Sequence, residues 1–208
     1  MNAIKACLCM ILAAVLLLPA ACSRTPQLPL LAADATILAF GDSITAGTGA
    51  GETESYPAVL ARLTERVVVN AGVPGEVSAA GVQRLPELLE RHHPALLILC
   101  HGGNDLLARR DHQLIAGNLR AMLRIAGERE VPVLLVAVPS LGFTLTPPPL
   151  YEELAGEFNI PVEKKGLSHI LGKGVLKSDY IHPNAAGYRL LAEDLATLLK
   201  KSGALPAS

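Results

Sequence analysis

The chain has 208 residues, 50% of them hydrophobic, and carries a formal net charge of −1 at pH 7. A chain of this length and composition suits one globular domain with a sizeable hydrophobic core. The nearly neutral charge without a basic stripe, the absence of Trp and an aromatic content of 3% argue against nucleic acid as a partner and against an aromatic platform for sugars.

Residues 1–21 have the pattern of a secretory signal peptide. An apolar run from Met10 to Leu18 is short for a membrane span, and small residues follow it. Cys22 then indicates a bacterial lipoprotein, tethered to a membrane through that cysteine and located in the periplasm. Leu18 lies one place further from Cys22 than the lipobox pattern prefers. The alternative is therefore cleavage after Ala20 or Ala21, which would leave a soluble periplasmic or secreted protein.

Residues 22–34 contain two prolines and little periodicity, which is typical of a tether. We expect the folded domain to span residues 35–204. Cys7 and Cys9 are removed with the signal peptide, so Cys100 is the cysteine that remains in the predicted domain. It lies in an apolar run and is expected to be a small buried side chain. A disulfide framework and a cysteine-based metal site are both excluded.

From residue 35 onward, apolar runs of strand length alternate with helical patterns. The strands are predicted at residues 36–40, 67–70, 95–100, 131–138 and 159–162. The helices are predicted at residues 57–63, 77–91, 111–128 and 184–201. Because nearly continuous apolar strands separated by helices are typical of a covered parallel sheet, we predict a flavodoxin-like, three-layer α/β/α sandwich with about five parallel strands. The longest irregular segment, 139–149, is expected to form either part of a substrate-facing rim or a rigid surface connection.

Small polar clusters follow three of the predicted strands, and a fourth cluster precedes the last helix. They are Gly41-Asp42-Ser43-Ile44, Asn70 with Gly72 and Gly75, Gly102-Gly103-Asn104-Asp105, and Asp179 with His182. Open α/β sheets build their sites at the carboxyl ends of their strands. Ser43 is therefore a candidate nucleophile. A serine hydroxyl needs a base, a group that orients the base, and donors for a developing oxyanion.

The four clusters, in this order, resemble the four sequence blocks of the SGNH or GDSL-type hydrolases. The similarity is greatest to the small periplasmic acyl-hydrolases of the thioesterase I, lysophospholipase L1 and arylesterase type. It covers nearly all of the predicted domain, and Ile44 stands where Leu is commoner. The resemblance implies a serine esterase that hydrolyses acyl esters or thioesters through an acyl-enzyme, without a metal or another cofactor.

The resemblance also implies roles for individual residues. Ser43 attacks the ester carbonyl, His182 is the general base, and Asp179 holds the ring of His182 in the correct tautomer. The oxyanion donors are the backbone N–H of Ser43, the backbone N–H of Gly75, which is favoured over Gly72, and the side-chain amide of Asn104. The Gly-x-Ser-x-Gly pattern of the α/β-hydrolases is absent here, because the second glycine is missing.

Several alternatives remain at this point. The same residues would serve a carbohydrate O-acetyl esterase. The Ser/Thr/Gly-rich loop 45–53 permits a flavin- or phosphate-binding module, and the fold also permits a non-catalytic binding protein of the cell envelope. The expected partner is a small-molecule or lipid ester, and the expected oligomeric state is a monomer.

Three further residues lie within or beside these clusters. Asp42 and Asp105 are expected to bond backbone N–H groups in their own loops. His101 either lines the pocket or packs at the end of its strand. An apolar groove for a long acyl chain is predicted from the region that contains Leu141, Phe143, Leu145, Leu150 and Tyr151.

Overall fold

The computed structural model describes residues 25–142 and 144–206. The predicted signal peptide, Cys22 and Phe143 lie outside the described residues. Within the described part of the chain, five parallel strands form one sheet in the order β2-β1-β3-β4-β5. The strands are β1 Thr36–Gly41, β2 Val67–Gly72, β3 Leu96–Cys100, β4 Val133–Val136 and β5 Val162–Glu163.

Helices connect the strands and cover both faces of this sheet. Those in the described residues are α1 Ser43–Ala46, α2 Tyr56–Thr64, α3 Ser78–His92, α4 Gly103–Leu107, α5 His112–Gly127, α6 Leu150–Phe158, α7 Gly166–Leu171 and α8 Ala185–Lys201. Helix α2 packs against α8, which also contacts α7, whereas α3 and α6 pack against α5. The predicted α/β/α sandwich with a central parallel sheet is confirmed.

The central strands are buried because their apolar runs meet helices on both sides. All residues of β3 and β4 are buried, as are Ile37–Gly41 of β1. Strand β4 is shorter than the predicted 131–138 because Val131 closes the preceding turn by donating to the carbonyl of Ala126. Among the described residues, no helix combines the length and the apolar character that crossing a bilayer requires.

Helices α6 and α7 were not predicted, and β5 begins later than the predicted 159–162. Helix α6 buries Leu150, Tyr151 and Leu154, but it follows directly on a run of prolines that masked its start. It ends at Asn159, whose φ of 50° is left-handed, and the N–H of Ile160 donates to the carbonyl of Ala155. Residues 159 and 160 therefore complete a helix end instead of opening a strand.

The segment before β1 packs against the end of the chain. The N–H of Leu28 donates to the carbonyl of Ser202 at 2.7 Å, and that of Leu31 donates to the carbonyl of Ala204 at 2.9 Å. Both leucine side chains are buried in the core. The domain thus begins before the predicted residue 35, and the described part of the predicted tether is fixed to it by two hydrogen bonds and by apolar packing.

Candidate active site

Ser43 lies at the carboxyl edge of the sheet, where β1 passes into α1. Asp42 caps this helix, because its carboxylate accepts the N–H of Ile44 at 3.1 Å. Ser43 is the first helical residue, so its own N–H belongs to the helical turn that has no intrahelical acceptor. Gly41 is required by the close approach of the paired strands β1 and β3, since a Cβ at this position would lie 2.1 Å from the carbonyl oxygen of Cys100.

A chain of hydrogen bonds joins the three predicted catalytic residues. The Nε2 atom of His182 lies 3.0 Å from the Oγ atom of Ser43, although 139 positions separate the two residues in the sequence. The Nδ1 atom of His182 lies 2.7 Å from Oδ2 of Asp179. An ionised carboxylate only accepts hydrogen bonds, so Nδ1 carries the proton and Nε2 is left as the acceptor for the hydroxyl of Ser43.

The loop that carries Asp179 and His182 is held by its own hydrogen bonds. Oδ1 of Asp179 accepts the N–H groups of Ile181 and His182, each at 2.8 Å. Partial burial would raise the pKa of Asp179, but the hydrogen bonds from the His182 ring and from these two N–H groups outweigh it and lower the pKa. Asp179 is therefore charged and correctly turned to orient His182.

Asn184 connects this loop to the last helix. Its side-chain oxygen accepts the N–H of Gly187 and so caps α8, and its NH₂ group donates to the carbonyls of Val175 and Lys177. One side chain thus fixes both the start of α8, which follows the Asp179–His182 loop, and the backbone of Val175 and Lys177, which precedes it.

Of the two further predicted site residues, Asn104 is among the residues that line the cleft and Gly75 is not. Asn104, near the start of α4, lines the same cleft as Ser43 and His182. Its NH₂ group donates to the carbonyl of Glu76 at 3.0 Å and makes a longer contact of 3.4 Å with Oδ2 of Asp42. Gly75 lies in the turn that ends at Glu76, with a left-handed φ of 79°. The structure therefore brings Asn104 into the cleft and places Gly75 in the adjoining turn.

Known proteins are similar to this chain over most of its length. The sequence model of the GDSL-like lipase/acylhydrolase family matches residues 39–190. The chain belongs to this family.

Two curated relatives are similar over most of their length. Esterase TesA of Pseudomonas aeruginosa is 32% identical over 197 residues, which cover 88% of this chain and 97% of the relative. The thioesterase 1/protease 1/lysophospholipase L1 of Escherichia coli K12 is 30% identical over 177 residues, covering 81% of this chain and 85% of the relative. Both names describe hydrolases.

A solved structure has the same fold. The psychrotrophic esterase EstA from Pseudoalteromonas, determined with a monoethylphosphonate inhibitor, aligns with a TM-score of 0.70 at 25% identity and covers 81% of this chain and 98% of its own. Together with the family match, these relatives identify the chain as a serine ester hydrolase. The flavin-binding and non-catalytic alternatives receive no such support.

The cleft of this GDSL-like hydrolase has mainly apolar walls. Its cavity volume is about 40 Å³, and it is open to solvent. Its apolar lining residues are Ile44, Leu107, Val138, Pro139, Leu141, Leu167, Leu171 and Ile181. These residues come from α1, α4, the segment after β4, α7 and the His182 loop, so five separate parts of the chain build one wall.

The predicted acyl groove is therefore only partly correct. Leu141 lines the cleft, but Leu150 and Tyr151 are buried in the core, where the hydroxyl of Tyr151 donates to the carbonyl of His101. Leu145 lines a separate surface depression. The walls that sequence reasoning missed, above all Leu167 and Leu171, lie on the unpredicted helix α7.

Three other polar residues near the site have structural partners. Asp42 accepts the N–H of Ile44 within its own loop, as expected. Asp105 was expected to bond within its own loop as well, but it accepts the N–H of Ser78 at 2.7 Å and so joins α4 to the start of α3. His101 is fully buried and is not among the cleft-lining residues, so the structure favours the packed alternative. Its ring contacts Glu76, a residue that the sequence did not single out.

Proposed function

We propose that this hydrolase cleaves carboxylic esters and thioesters through an acyl-enzyme on Ser43. The observation that carries the proposal is the continuous hydrogen-bond chain from Ser43 through His182 to Asp179. His182 takes the proton of Ser43 as its Oγ attacks the acyl carbon, and Asp179 stabilises the imidazolium that forms.

The attack converts the carbonyl oxygen into an oxyanion, which needs hydrogen-bond donors. The backbone N–H of Ser43 and of Gly75 and the side-chain amide of Asn104 are the proposed donors. The 3.4 Å contact between Asn104 and Asp42 is long for a hydrogen bond. The N–H that makes it is only weakly engaged and is the proposed donor to the oxyanion, while the other N–H of the amide is held by the carbonyl of Glu76.

The tetrahedral intermediate then collapses. The bond from the acyl carbon to the leaving alcohol or thiol breaks, and the leaving group takes the proton held by His182. In the second half-reaction, His182 removes a proton from water, the resulting hydroxide attacks the acyl carbon, and the bond to Ser43 Oγ breaks with return of the proton. The products are a carboxylic acid, an alcohol or thiol, and the starting enzyme.

The apolar lining of the cleft favours substrates that have an apolar acyl group. The side chains of Ile44, Leu167, Leu171 and Ile181 line it beside Ser43. An apolar acyl chain that leaves water for this surface gains roughly 0.8 kcal/mol for each buried CH₂ group. We therefore propose acyl esters and thioesters with more than a two-carbon acyl chain as the preferred substrates.

The experiment is hydrolysis of p-nitrophenyl esters from acetate to palmitate by the wild type and by Ser43→Ala. We expect the substitution to lower kcat by about 10⁴–10⁶-fold on every ester, because the nucleophile is lost. Ser168→Ala is the matched control, since this serine oxygen is buried without a partner among the described residues and is not among the cleft-lining residues.

Two results would contradict parts of the proposal. Wild-type turnover by Ser43→Ala would refute the nucleophile. An optimum at acetate, with no turnover of longer chains, would refute the acyl-chain preference and would assign the same residues to short O-acetyl esters such as those on carbohydrates.

We further propose that the mature enzyme is a monomer on the periplasmic side of a bacterial membrane, attached through a lipid on Cys22. Support comes from the apolar run Met10–Leu18, the small residues after it and the cysteine that follows.

A further inference from the structure

A largely buried cluster of side chains adjoins two of the proposed oxyanion donors, Gly75 and Asn104. It consists of Glu76, Arg84 and His101, which we call the Glu76 cluster. The side chain of Glu76 is 7% exposed, and that of His101 is fully buried. None of the three side chains lines the cleft, so the cluster is not part of the substrate-contacting surface.

The carboxylate of Glu76 receives three hydrogen bonds. Oε1 accepts Nε–H of Arg84 at 2.8 Å, and Oε2 accepts a terminal N–H of Arg84 at 2.6 Å. Oε2 also lies 3.1 Å from Nε2 of His101. Burial would raise the pKa of Glu76, but the hydrogen bonds from His101 and Arg84 outweigh it and lower the pKa to about 2. The carboxylate is therefore permanently charged under ordinary conditions.

Arg84 ties this carboxylate to the edge of the sheet. Its guanidinium also donates to the carbonyl of Ala71 at 3.1 Å, near the end of β2, and it stacks on the ring of Phe40 in β1 at 4.3 Å from the ring centre. The same terminal nitrogen and Nε of Arg84 also donate to Glu76, so the turn that contains Gly75 is fixed to β1 and β2 through Arg84.

His101 makes the second connection, and its tautomer is determined by its surroundings. Its Nδ1 atom accepts the backbone N–H of Gly102 at 2.9 Å, so Nδ1 carries no proton. Nε2 is then the protonated nitrogen and donates to Glu76. Gly102 leads into the first turn of α4, where Asn104 lies.

Glu76 also contacts the second donor directly, through its backbone. Its carbonyl oxygen accepts one N–H of the Asn104 amide at 3.0 Å. The turn that contains Gly75 and the helix that contains Asn104 are thus joined twice, once through the carboxylate and His101 and once through the carbonyl.

From this geometry we propose that Glu76 is a positioning residue, which with Arg84 and His101 holds the N–H of Gly75 and the amide of Asn104 at the spacing that the oxyanion requires. The proposal rests on the proposed function. A displaced donor loses its interaction with the developing charge but changes the contacts of the bound substrate little. The effect of disturbing the cluster should therefore fall on kcat and not on KM.

The test is Glu76→Gln in the full chain. Both oxygens of Glu76 accept from N–H donors, so the NH₂ of glutamine must face Arg84 or His101, and the cluster loses a hydrogen bond in either orientation. We expect kcat to fall by about 10–100-fold, with KM within about twofold of the wild type, because a displacement of about 1 Å is costly to catalysis.

Glu157→Gln is the matched control. Glu157 also accepts a forked set of hydrogen bonds from an arginine, Arg120, but this pair joins α5 and α6 on the surface, away from the cleft. The control variant should keep the wild-type kcat and KM. If Glu76→Gln does not fold, Arg84→Lys replaces it, because lysine keeps the charge without the fork and is expected to give the same kcat loss.

A double-mutant cycle with Asn104→Ala separates positioning from a general loss of structure. Once the Asn104 amide is absent, Glu76→Gln should lower kcat less than about threefold, because much of what it acts on is gone. An unchanged kcat in Glu76→Gln, or an equal loss with and without Asn104, would overturn the inference. Turnover by Ser43→Ala would instead refute the proposed function, so the two failures are distinguishable.

Discussion

At the scale of single residues, the carboxylates of the site differ in what their surroundings do to them. Burial raises the pKa of Asp42, whose side chain lies between the strand ends. Burial also acts to raise the pKa values of Glu76 and Asp179, but hydrogen bonds to the charged carboxylates outweigh it and lower both pKa values. The difference lies in the donors: His101 with Arg84 serves Glu76, and His182 with two backbone N–H groups serves Asp179.

The lowered pKa of Glu76 predicts a pH dependence of stability. Because the folded-state value of about 2 lies below the ordinary value of 4.5, the ionised group stabilises the folded state at all pH values above 4.5. This contribution is lost as the pH falls from 4.5 toward 2. The difference in Tm between the wild type and Glu76→Gln should therefore be constant at neutral pH and should narrow below pH 4.5.

Thermal unfolding of both proteins between pH 7 and pH 2 measures this difference. Glu157→Gln again provides the comparison, since the pKa of Glu157 is also lowered by its arginine but the pair is exposed to solvent. A gap between the wild type and Glu76→Gln that stayed the same down to pH 2 would contradict the lowered pKa.

At the scale of elements, the start of α8 couples helix stability to the geometry of His182. Asn184 caps α8 and also holds the carbonyls of Val175 and Lys177. Asn184→Ala should reduce the free energy of unfolding by about 1–2 kcal/mol, as the loss of an N-cap does elsewhere. It should also lower kcat, because the loop that carries Asp179 and His182 is then no longer held by the hydrogen bonds from Asn184 to Val175 and Lys177.

Asp111→Ala is a suitable control for this prediction. Asp111 caps α5 by accepting the N–H of Gln113 at 2.7 Å, and it is not among the cleft-lining residues. Chemical denaturation and ester hydrolysis of both variants should show a similar loss of stability in each and a loss of kcat in Asn184→Ala alone. Equal kcat values in the two variants would show that the cap does not position His182.

The strands and helices also differ in how closely the sequence predicts their bounds. Strands β1 and β3 and the long helices α3, α5 and α8 were predicted close to their observed positions, because each has a strong apolar run or a clear helical period. Helices α6 and α7 were not, since a proline run obscures the first and the second has only six residues. Two of the eight apolar residues that line the cleft, Leu167 and Leu171, were missed with α7.

At the scale of the whole molecule, the chain's described start and its site lie at opposite edges of the sheet. Thr25 and Pro26 lie beside residues 159–162, where β5 begins, and Pro29 lies beside residues 94–95 and 131–132, just before β3 and β4. The cleft lies at the carboxyl ends of the strands. A lipid on Cys22, three positions before Thr25, would therefore bring to the membrane the edge of the sheet that is opposite the cleft.

This geometry predicts that membrane attachment leaves catalysis unchanged. Protein purified from bacterial membranes and returned to lipid vesicles should hydrolyse a soluble p-nitrophenyl ester with the same kcat/KM as the Cys22→Ala variant, which should appear in the soluble periplasmic fraction. Membrane retention of Cys22→Ala would refute the lipid anchor. A lower kcat/KM for the vesicle-bound protein would refute the predicted orientation.

The sequence by itself determined the parallel α/β class, the order of the four polar clusters and the candidates Ser43, Asn104, Asp179 and His182. These features are local: a strand period, a helical period or a short motif is complete within a few neighbouring residues. The Asp179–His182 pair is local as well, because one turn suffices to place both side chains.

Only the tertiary structure decided which distant residues meet. The hydrogen bond between Ser43 and His182, the assembly of cleft walls from five parts of the chain, and the Glu76 cluster all depend on strand register and helix packing. The same holds for Leu28 and Leu31, which the sequence placed in a tether and which the fold buries against the chain's end. Contacts between residues far apart in sequence follow from how the layers pack, and no local pattern records that packing.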